Sequence, residues 1–378
     1  MEAYKRHQVI WSALQTICRG RICRKFNMTF EELHQEGPVL LIPNHVTAWD
    51  PLLVAMSLRK KHVYYVASEH IFRLGAVSRL LEWALAPIAR RKASSGADTV
   101  KACLRQLREG HSVCLFAEGE QSWTGENHPV FPATGKLAKI SGATLVTYRL
   151  EGAYLSCPRW GRGIRRGRIY GHPVGIYPPE RLKDLSPQQI DALIEQDIRE
   201  SAWERQEKDP VAYRGKHPAE GMERALYLCP GCRKIGTLQT RGDRVFCTCG
   251  LSLRYTETGF FAPAQPFAHL GQWDDWQQEI LLNRAFVPES AGVLFSDEHV
   301  QLSWIENGHK NTVLQKGKLF QTGDALVLGE NCFPLKKISS MAMVLSDRLL
   351  FTVEDTYYEL LAKDNINFRK YLELWKGE

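Results

Sequence analysis

Residues 38–51 have the sequence PVLLIPNHVTAWDP, and this stretch decides the fold of the first half of the chain. Its first six residues form a continuous apolar run between prolines, which is typical of a strand buried on both faces of a parallel sheet. A polar turn and a helix are predicted from Asn44 onward. The run therefore indicates a βα unit whose polar residues lie at the end of a buried strand.

Further strands and helices alternate along the chain after this unit. Short apolar runs at 63–67, 112–117 and 144–150 predict strands, and the segments 70–86 and 97–109 between them predict helices. A helix at 187–205, with Ser186 as N-cap and Pro187 at its first position, closes the pattern. The fold class predicted for this part is α/β, with a largely parallel sheet flanked by helices.

The second half of the chain has a different pattern. A Pro-, Gly- and charge-rich linker precedes four clustered cysteines, and a helix is predicted at 273–285. Alternating short strands from about 293 to 360 and an amphipathic helix at 365–376 predict a small β-barrel closed by that helix. We therefore predict four parts: residues 1–212, a linker and cysteine module at 213–262, a helical connector at 263–290, and the barrel at 291–378.

Composition limits the location and the partners of the protein. The chain of 378 residues is 44% hydrophobic and 24% charged, as in globular proteins, and its longest apolar stretches are far shorter than the roughly 20 residues that span a bilayer. No secretory signal pattern is found at the N-terminus, so a cytoplasmic location is expected. The formal net charge is +7, with basic clusters at 5–25 and 159–168, which predicts an anionic partner such as a phospholipid surface or nucleic acid.

His45 and Asp50 are the candidate catalytic residues. A hydroxyl is a poor nucleophile at neutral pH, but an imidazole can take its proton while a carboxylate fixes the imidazole tautomer. The spacing alone is weak evidence, because His269 and Asp274 have the same spacing. The two pairs differ in position: His45 follows a buried strand, where open α/β sheets carry their sites, whereas His269 precedes a Trp-rich helix.

A second motif follows another predicted strand. The sequence Phe-Ala-Glu-Gly-Glu-Gln-Ser at 116–122 leaves that strand at a glycine, so it is expected on the same sheet edge as His45. Together, Asn-His-x4-Asp-Pro at 44–51, Ala-Pro-Ile-Ala-Arg-Arg at 86–91 and this motif resemble the first three motifs of the lysophospholipid acyltransferases, the 1-acylglycerol-3-phosphate acyltransferase family. The resemblance covers roughly residues 5–205.

The resemblance implies an O-acyltransferase that moves a fatty acyl group from acyl-CoA or acyl carrier protein to a lysophospholipid hydroxyl, with no metal in the chemistry. It implies that His45 is the general base and Asp50 its orienting partner. The implied substrate-binding residues, of which Arg91 aligns best with the phosphate ligand of the family, are Asn44, Arg90, Arg91, Glu118, Gly119, Gln121 and Arg149. It also implies a peripheral enzyme of phospholipid biosynthesis or remodelling, on the cytoplasmic face of a membrane.

The sequence departs from the family pattern at the third and fourth motifs. Where the family has Glu-Gly-Thr-Arg, this chain has Glu118-Gly119-Glu120-Gln121, which exchanges a cation for a neutral amide and adds a carboxylate. The fourth motif lacks its proline, and Arg149 in this region is a candidate to replace the lost cation. The acceptor is therefore either a phosphate monoester or a lysolipid without one.

Four clustered cysteines predict a metal site. Cys229-Pro-Gly-Cys232 and Cys247-Thr-Cys249 have the arrangement of a zinc ribbon, in which four thiolates complete a closed tetrahedral site. The second half is Cys-x-Cys instead of Cys-x-x-Cys, so a strained knuckle and a site without metal both remain open. The predicted cofactor is a structural zinc.

The barrel at 291–378 looks like a pleckstrin-homology or GRAM-type module by its pattern of strands and a terminal helix. Such modules bind lipids or peptides, which fits an enzyme at a bilayer. The alternative to an acyltransferase is a membrane-surface binding or scaffold protein that has kept the fold and lost turnover. Nucleic-acid binding through the ribbon is a distant third hypothesis, since only four basic residues surround the cysteines, and it is not the expected partner.

Overall fold

The computed structural model describes residues 2–58, 61–73, 75–90, 96–306, 310–362 and 366–377. These residues form two compact units. The first contains the described residues up to Arg90 together with 96–159 and 163–215, and the second contains 160–162 and the described residues from Lys216 onward. In the part of the chain that is described, we find no helix with the length and apolar character needed to cross a membrane.

The first unit is a mixed α/β domain. Its elements are α1 (Glu2–Phe26), β1 (Met28–Phe30), β2 (Val39–Pro43), α2 (Asp50–Ser57), β3 (Val63–Ser68), α3 (Ala76–Leu85), β4 (Ile88–Arg90), α4 (Ala97–Arg108), β5 (Ser112–Cys114), α5 (Thr134–Ser141), β6 (Thr144–Glu151), α6 (Ala153–Ser156), β7 (Ile169–Tyr177), α7 (Pro179–Lys183), α8 (Pro187–Ile198) and α9 (Ala202–Lys208).

The strands form one seven-stranded sheet in the order β1-β7-β6-β2-β5-β3-β4. Strands β6, β2, β5, β3 and β4 are parallel, whereas β7 runs antiparallel to β6, and β1 pairs in parallel with β7. The predicted α/β class with a largely parallel sheet is therefore confirmed. Its central strands are buried, because Leu40, Val113 and Leu145 are inaccessible to solvent.

Two predicted helices differ from the structure. The segment predicted as one helix at 70–86 is a 3₁₀ turn at Glu69–Arg73 followed by α3. The helix predicted at 187–205 is broken into α8 and α9, because Arg199 has extended ψ and Ser201 caps a new helix by accepting a hydrogen bond from the Glu204 amide. The Ser186 cap was predicted, and it forms a capping box with Gln189.

The second unit contains two antiparallel sheets. Its elements are β8 (Leu238–Arg241), β9 (Arg244–Cys247), β10 (Ser252–Tyr255), β11 (Phe261–Ala262), α10 (Leu270–Leu282), β12 (Phe295–Glu306), β13 (Lys310–Gln321), β14 (Ala325–Leu328), β15 (Asn331–Pro334), β16 (Ile338–Val344), β17 (Arg348–Val353), β18 (Thr356–Ala362) and α11 (Arg369–Lys376).

The smaller sheet has the order β11-β10-β9-β8 and includes Cys247 at the end of β9, and the larger sheet has the order β15-β14-β13-β12-β18-β17-β16. The larger sheet is an antiparallel half-barrel. Helix α11 packs against it, and the Trp375 indole donates a hydrogen bond to the Ile338 carbonyl at 3.2 Å. The predicted succession of C-terminal strands followed by a terminal helix is therefore confirmed.

Candidate active site

His45 and Asp50 meet where β2 ends. His45 lies in the loop after β2, and Asp50 is the first residue of α2. The His45 Nδ1 atom is 2.9 Å from Asp50 Oδ2. The His45 ring stacks on Phe116 with 4.2 Å between ring centroids, and its side chain stays 16% exposed. Because Nδ1 is engaged by the carboxylate, Nε2 is the nitrogen that can act on a substrate proton.

The Asp50 carboxylate is fully buried and held by the loop that it follows. Its Oδ2 accepts hydrogen bonds from the Val46 amide at 2.6 Å and the Thr47 amide at 2.9 Å, and its Oδ1 accepts one from the Thr47 hydroxyl at 2.8 Å. These donors stabilise the charged carboxylate and fix its orientation. The carboxylate therefore holds the His45 ring in one tautomer, as a general base requires.

Glu118 lies beside this pair and supports it. Its Oε1 accepts hydrogen bonds from the His45 amide at 2.8 Å and from the Asn127 side chain at 3.0 Å, and its Oε2 accepts one from the His128 amide at 2.7 Å. Burial raises the pKa of Glu118 to about 8, although these hydrogen bonds lower it. The geometry gives Glu118 a positioning role, because its carboxylate anchors the backbone of the loop that carries His45.

Gly119 lies in a turn that leaves no room for a side chain. Its φ is +69°, and a Cβ atom there would lie 2.0 Å from Cε2 of Phe131 and 3.1 Å from a guanidinium nitrogen of Arg90. The Arg90 guanidinium lies over the Phe131 ring, 4.5 Å from its centroid. The glycine thus allows Arg90, at the end of β4, to reach the turn after β5.

The third motif contacts a second arginine, Arg159. Its Nη1 atom is 2.6 Å from Glu120 Oε1 and donates to the Gln121 carbonyl at 3.3 Å, and its guanidinium lies 4.2 Å from the centroid of the Trp123 ring. The Arg159 side chain is only 5% exposed. Glu120, which departs from the family pattern, is therefore the ion-pair partner of an arginine from a distant segment.

Asn44 and Arg149 bind the scaffold in this structure. The buried Asn44 side chain donates to the Leu150 carbonyl at 3.1 Å and accepts from the Leu150 amide at 2.7 Å, which extends the pairing of β2 with β6. The Arg149 Nε atom donates to the Asp197 carbonyl at 2.9 Å, near the end of α8. Through these contacts, both side chains stabilise the edge of the sheet. Arg91 lies outside the described residues.

Ser122 links the two motifs. Its amide donates to the His45 carbonyl at 2.9 Å, and its hydroxyl donates to the Glu126 carbonyl at 2.6 Å. The third motif contains Ser122, but its sequence does not predict the role of this residue. The sequence also does not predict the contact of Phe131 with Arg90 or that of Arg159 with Glu120. The one available signal was the surplus carboxylate at Glu120, which implies a nearby cation.

The four predicted cysteine ligands converge in the second unit. Their sulfur atoms all lie within 4.8 Å of one another. The Sγ atoms of Cys229 and Cys249 are 3.5 Å apart, and those of Cys232 and Cys247 are 3.8 Å apart. Although burial raises it, contacts with the Cys249 amide and with the neighbouring Thr237 hydroxyl bring the pKa of Cys247 down to about 6. The donor set suits a soft tetrahedral cation.

The second histidine–aspartate pair of the same spacing has a different environment. His269 is the N-cap of α10, where its Nδ1 accepts a hydrogen bond from the Gln272 amide at 3.4 Å. Asp274 is buried and binds Arg369 through two hydrogen bonds of 2.8 and 2.9 Å. Each member of this pair thus has a local structural role.

Comparison with known proteins finds a solved structure and a family model that the chain resembles. A solved structure that the chain resembles is the crystal structure of the 1-acyl-sn-glycerophosphate (LPA) acyltransferase PlsC from Thermotoga maritima, with 12% identity, a TM-score of 0.43, and coverage of 51% of this chain and 79% of that chain. Residues 25–151 match the family model described as Acyltransferase. This range holds His45, Asp50, Arg90 and the turn at 118–121, so this part of the chain is similar to the acyltransferases.

Proposed function

We propose that the protein transfers a fatty acyl group from acyl-CoA or acyl carrier protein to the hydroxyl of a lysophospholipid. The observation that carries this proposal is the contact of His45 Nδ1 with a buried Asp50 carboxylate, inside the segment that matches the acyltransferase model. His45 Nε2 accepts the proton of the acceptor hydroxyl, and the resulting alkoxide attacks the thioester carbonyl. Asp50 stabilises the imidazolium that forms, and the thiolate of the carrier leaves.

The neighbouring groups support this chemistry. The His45 amide already donates its hydrogen bond to Glu118. The oxyanion of the tetrahedral intermediate therefore needs other hydrogen-bond donors at this edge of the sheet. Arg90 supplies a cation for a substrate phosphate, because no carboxylate within the described ranges lies at ion-pair distance from it. Burial lowers the pKa of Arg90, which indicates that its guanidinium is poorly hydrated.

The proposal is tested with purified protein, a panel of lysolipids, and both acyl-CoA and acyl carrier protein as donors, with products identified by mass spectrometry. We expect a diacyl product with at least one acceptor, and its loss in His45→Ala. His34→Ala is a matched control, since this side chain is 71% exposed. Transfer that persists in His45→Ala would refute the mechanism, and no product with any pair would favour the scaffold alternative.

We propose that the enzyme works on an anionic phospholipid surface through the outer faces of α1 and α3. Six large apolar side chains are exposed there: Val9, Leu14, Ile17, Val77, Leu80 and Trp83. The two helices pack together, and the Arg6 guanidinium lies 5.3 Å from the centroid of the exposed Trp83 ring. Exposed arginines accompany them: Arg6, Arg21, Arg24 and Arg79. An apolar face with a tryptophan and flanking cations suits the interface of an anionic bilayer.

Vesicle sedimentation tests this surface. The wild type should bind vesicles that contain phosphatidylglycerol more tightly than vesicles of phosphatidylcholine alone. Leu80→Glu should weaken binding to both vesicle types. Ile140→Glu is the matched control, because Ile140 is also exposed but lies on α5. Equal binding to the two vesicle types would count against the anionic surface. The half-barrel, as a pleckstrin-homology-like or GRAM-like module, is proposed as a second lipid or peptide contact.

We also propose that the four cysteines hold a structural zinc. Zn–S bonds of about 2.3 Å in a tetrahedron place sulfur atoms about 3.8 Å apart, close to the two sulfur distances given above. Gly231 fits this cluster, since a Cβ there would lie 3.1 Å from the Cys249 sulfur. Elemental analysis should find about one zinc per chain, and Cys247→Ser should lose it while the exposed Cys332→Ser keeps it. Absence of zinc in protein purified without chelators would refute the site.

A further inference from the structure

Within the described residues, two guanidinium groups reach the turn at residues 118–121, and they differ in their partners. Arg90 approaches Gly119 from the end of β4, and Arg159 approaches Glu120 from the segment before β7. Both have limited access to water: burial lowers the pKa of Arg90, and the Arg159 side chain is 5% exposed. Since the turn follows the strand next to β2, both cations lie at the sheet edge that carries His45.

Arg90 is held by an aromatic ring instead of a carboxylate. Its guanidinium lies 4.5 Å from the centroid of Phe131, and the Phe131 amide is fixed to the Ala117 carbonyl at 3.0 Å. Within the described ranges, Arg90 has no ion pair. A cation–π contact orients a guanidinium but does not neutralise it. Arg90 therefore keeps its hydrogen-bond donors and its full charge for an anionic ligand.

Arg159, by contrast, is neutralised by the chain itself. The Glu120 carboxylate is 2.6 Å from the Nη1 atom of Arg159, and the Trp123 ring covers the face of the guanidinium at 4.2 Å. The Glu120 side chain is 20% exposed, so this ion pair is only weakly screened by water. Together, Arg90, Arg159 and Glu120 carry a single positive charge.

We propose that Glu120 is a specificity-determining residue, which neutralises Arg159 and so selects lysophospholipids with a phosphodiester headgroup over those with a terminal phosphate monoester. This inference rests on the proposed acyl transfer to a lysophospholipid. A phosphate monoester carries about −1.5 to −2 charges at pH 7 and has three acceptor oxygens, whereas a diester carries about −1. Of the two arginines at this turn, Arg90 supplies the one charge that matches the diester, and the monoester cannot use Arg159 while Glu120 occupies it.

The experiment measures acceptor preference in competition. Wild type, Glu120→Gln, Arg159→Gln and the double variant receive equal amounts of 1-acylglycerol-3-phosphate and 1-acylglycerol-3-phosphoglycerol with the same acyl chain, and products are quantified by mass spectrometry. Glutamine keeps the shape of the glutamate side chain and removes its charge. Asp98→Asn is the matched control, because this carboxylate lies on α4 and is fully exposed.

The wild type should favour the diester, and Glu120→Gln should shift the product ratio toward the monoester by about tenfold, the effect of one charge-assisted hydrogen bond. The double variant should lose that gain, and Asp98→Asn should keep the wild-type ratio. Transfer to both acceptors with a ratio unchanged by Glu120→Gln would overturn this inference alone. A wild type that transfers to neither acceptor would overturn this inference, and one that transfers to no lysolipid of the panel would overturn the proposed function with it.

Discussion

Two pairs in this chain share the spacing His-x4-Asp, and their surroundings differ. His45 lies in a loop at the end of a buried parallel strand, and its ring contacts a carboxylate that three further donors orient. His269 caps a helix, and the aspartate five positions later binds Arg369. In the second pair, the folded chain uses both side chains for its own structure. The comparison teaches that the element on which a motif lies, and not its spacing, decides what its side chains can do.

The largest expected effect concerns the carboxylate of the first pair. Asp50→Asn should lower kcat by about 10⁴-fold, because an amide no longer fixes the required imidazole tautomer or stabilises the imidazolium. Initial-rate measurements with a saturating acceptor check this, and circular dichroism shows that the fold is kept. A decrease in kcat of less than tenfold would contradict the catalytic role of Asp50.

The carboxylate of the second pair should matter for stability instead. Asp274→Asn should destabilise the second unit by about 3 kcal/mol, since it leaves the buried Arg369 guanidinium short of a partner. Urea unfolding followed by circular dichroism measures this loss. A single substitution without effect on unfolding would break the contrast between the two aspartates.

A third histidine sharpens the comparison, because it neither contacts an aspartate nor caps a helix. His62 is buried near Trp11, His7 and Tyr64. Burial lowers its pKa to about 4 from the ordinary 6.5. The unfolded chain therefore binds more protons than the folded chain between pH 4 and 6.5. The stabilisation that neutral His62 allows is present above pH 6.5 and is lost as pH falls through this window.

The expected loss on acidification from pH 7 to pH 4 is roughly 3 kcal/mol from this residue. The free energy of unfolding of wild type and His62→Gln, measured at both pH values, checks it. The variant should lose less stability on acidification than the wild type does. His34→Gln is the control, because that side chain is largely exposed. An equal loss in His62→Gln and wild type would contradict this origin of the pH dependence.

The smallest expected effect is that of the helix cap. His269→Ala should destabilise the protein by about 1 kcal/mol, the typical value of an N-cap contact, and should leave kcat within about twofold of the wild type. Thermal unfolding and initial rates measure the two quantities. A large decrease in kcat would contradict the assignment of His269 to a purely local role.

The sequence predicted those features that depend on local patterns. The buried apolar runs predicted the positions of β2, β3, β5 and β6, and the capping residues predicted the start of α8. Both signals are local, because hydrophobic periodicity and helix caps each depend on only a few consecutive residues. The antiparallel strand β7 contains Gly171, Pro173 and Gly175, which weaken the strand pattern, and so it was missed. The sequence did not predict the break between α8 and α9, because serine, the residue type at position 201, also occurs in helix interiors.

The candidate site was predictable only in part, for a physical reason. The position of His45 and Asp50 follows from the strand and turn that carry them. Arg159 contacts a residue 39 positions earlier, and Phe131 contacts Arg90 across the sheet edge. Such long-range contacts depend on how loops close, which no periodicity encodes. Residue type alone suggested that Glu120 needs a cation, but not which arginine supplies it.

The most direct test of the account compares matched variants of the two histidines. Wild type, His45→Ala and His269→Ala, each confirmed as folded, are mixed with a radiolabelled acyl donor and a lysophospholipid acceptor, and the rate of diacyl product formation is measured. We expect His45→Ala to lose about 10²-fold to 10⁴-fold in rate, the contribution of a general base, and His269→Ala to retain its activity. Equal activity of His45→Ala and His269→Ala would contradict it.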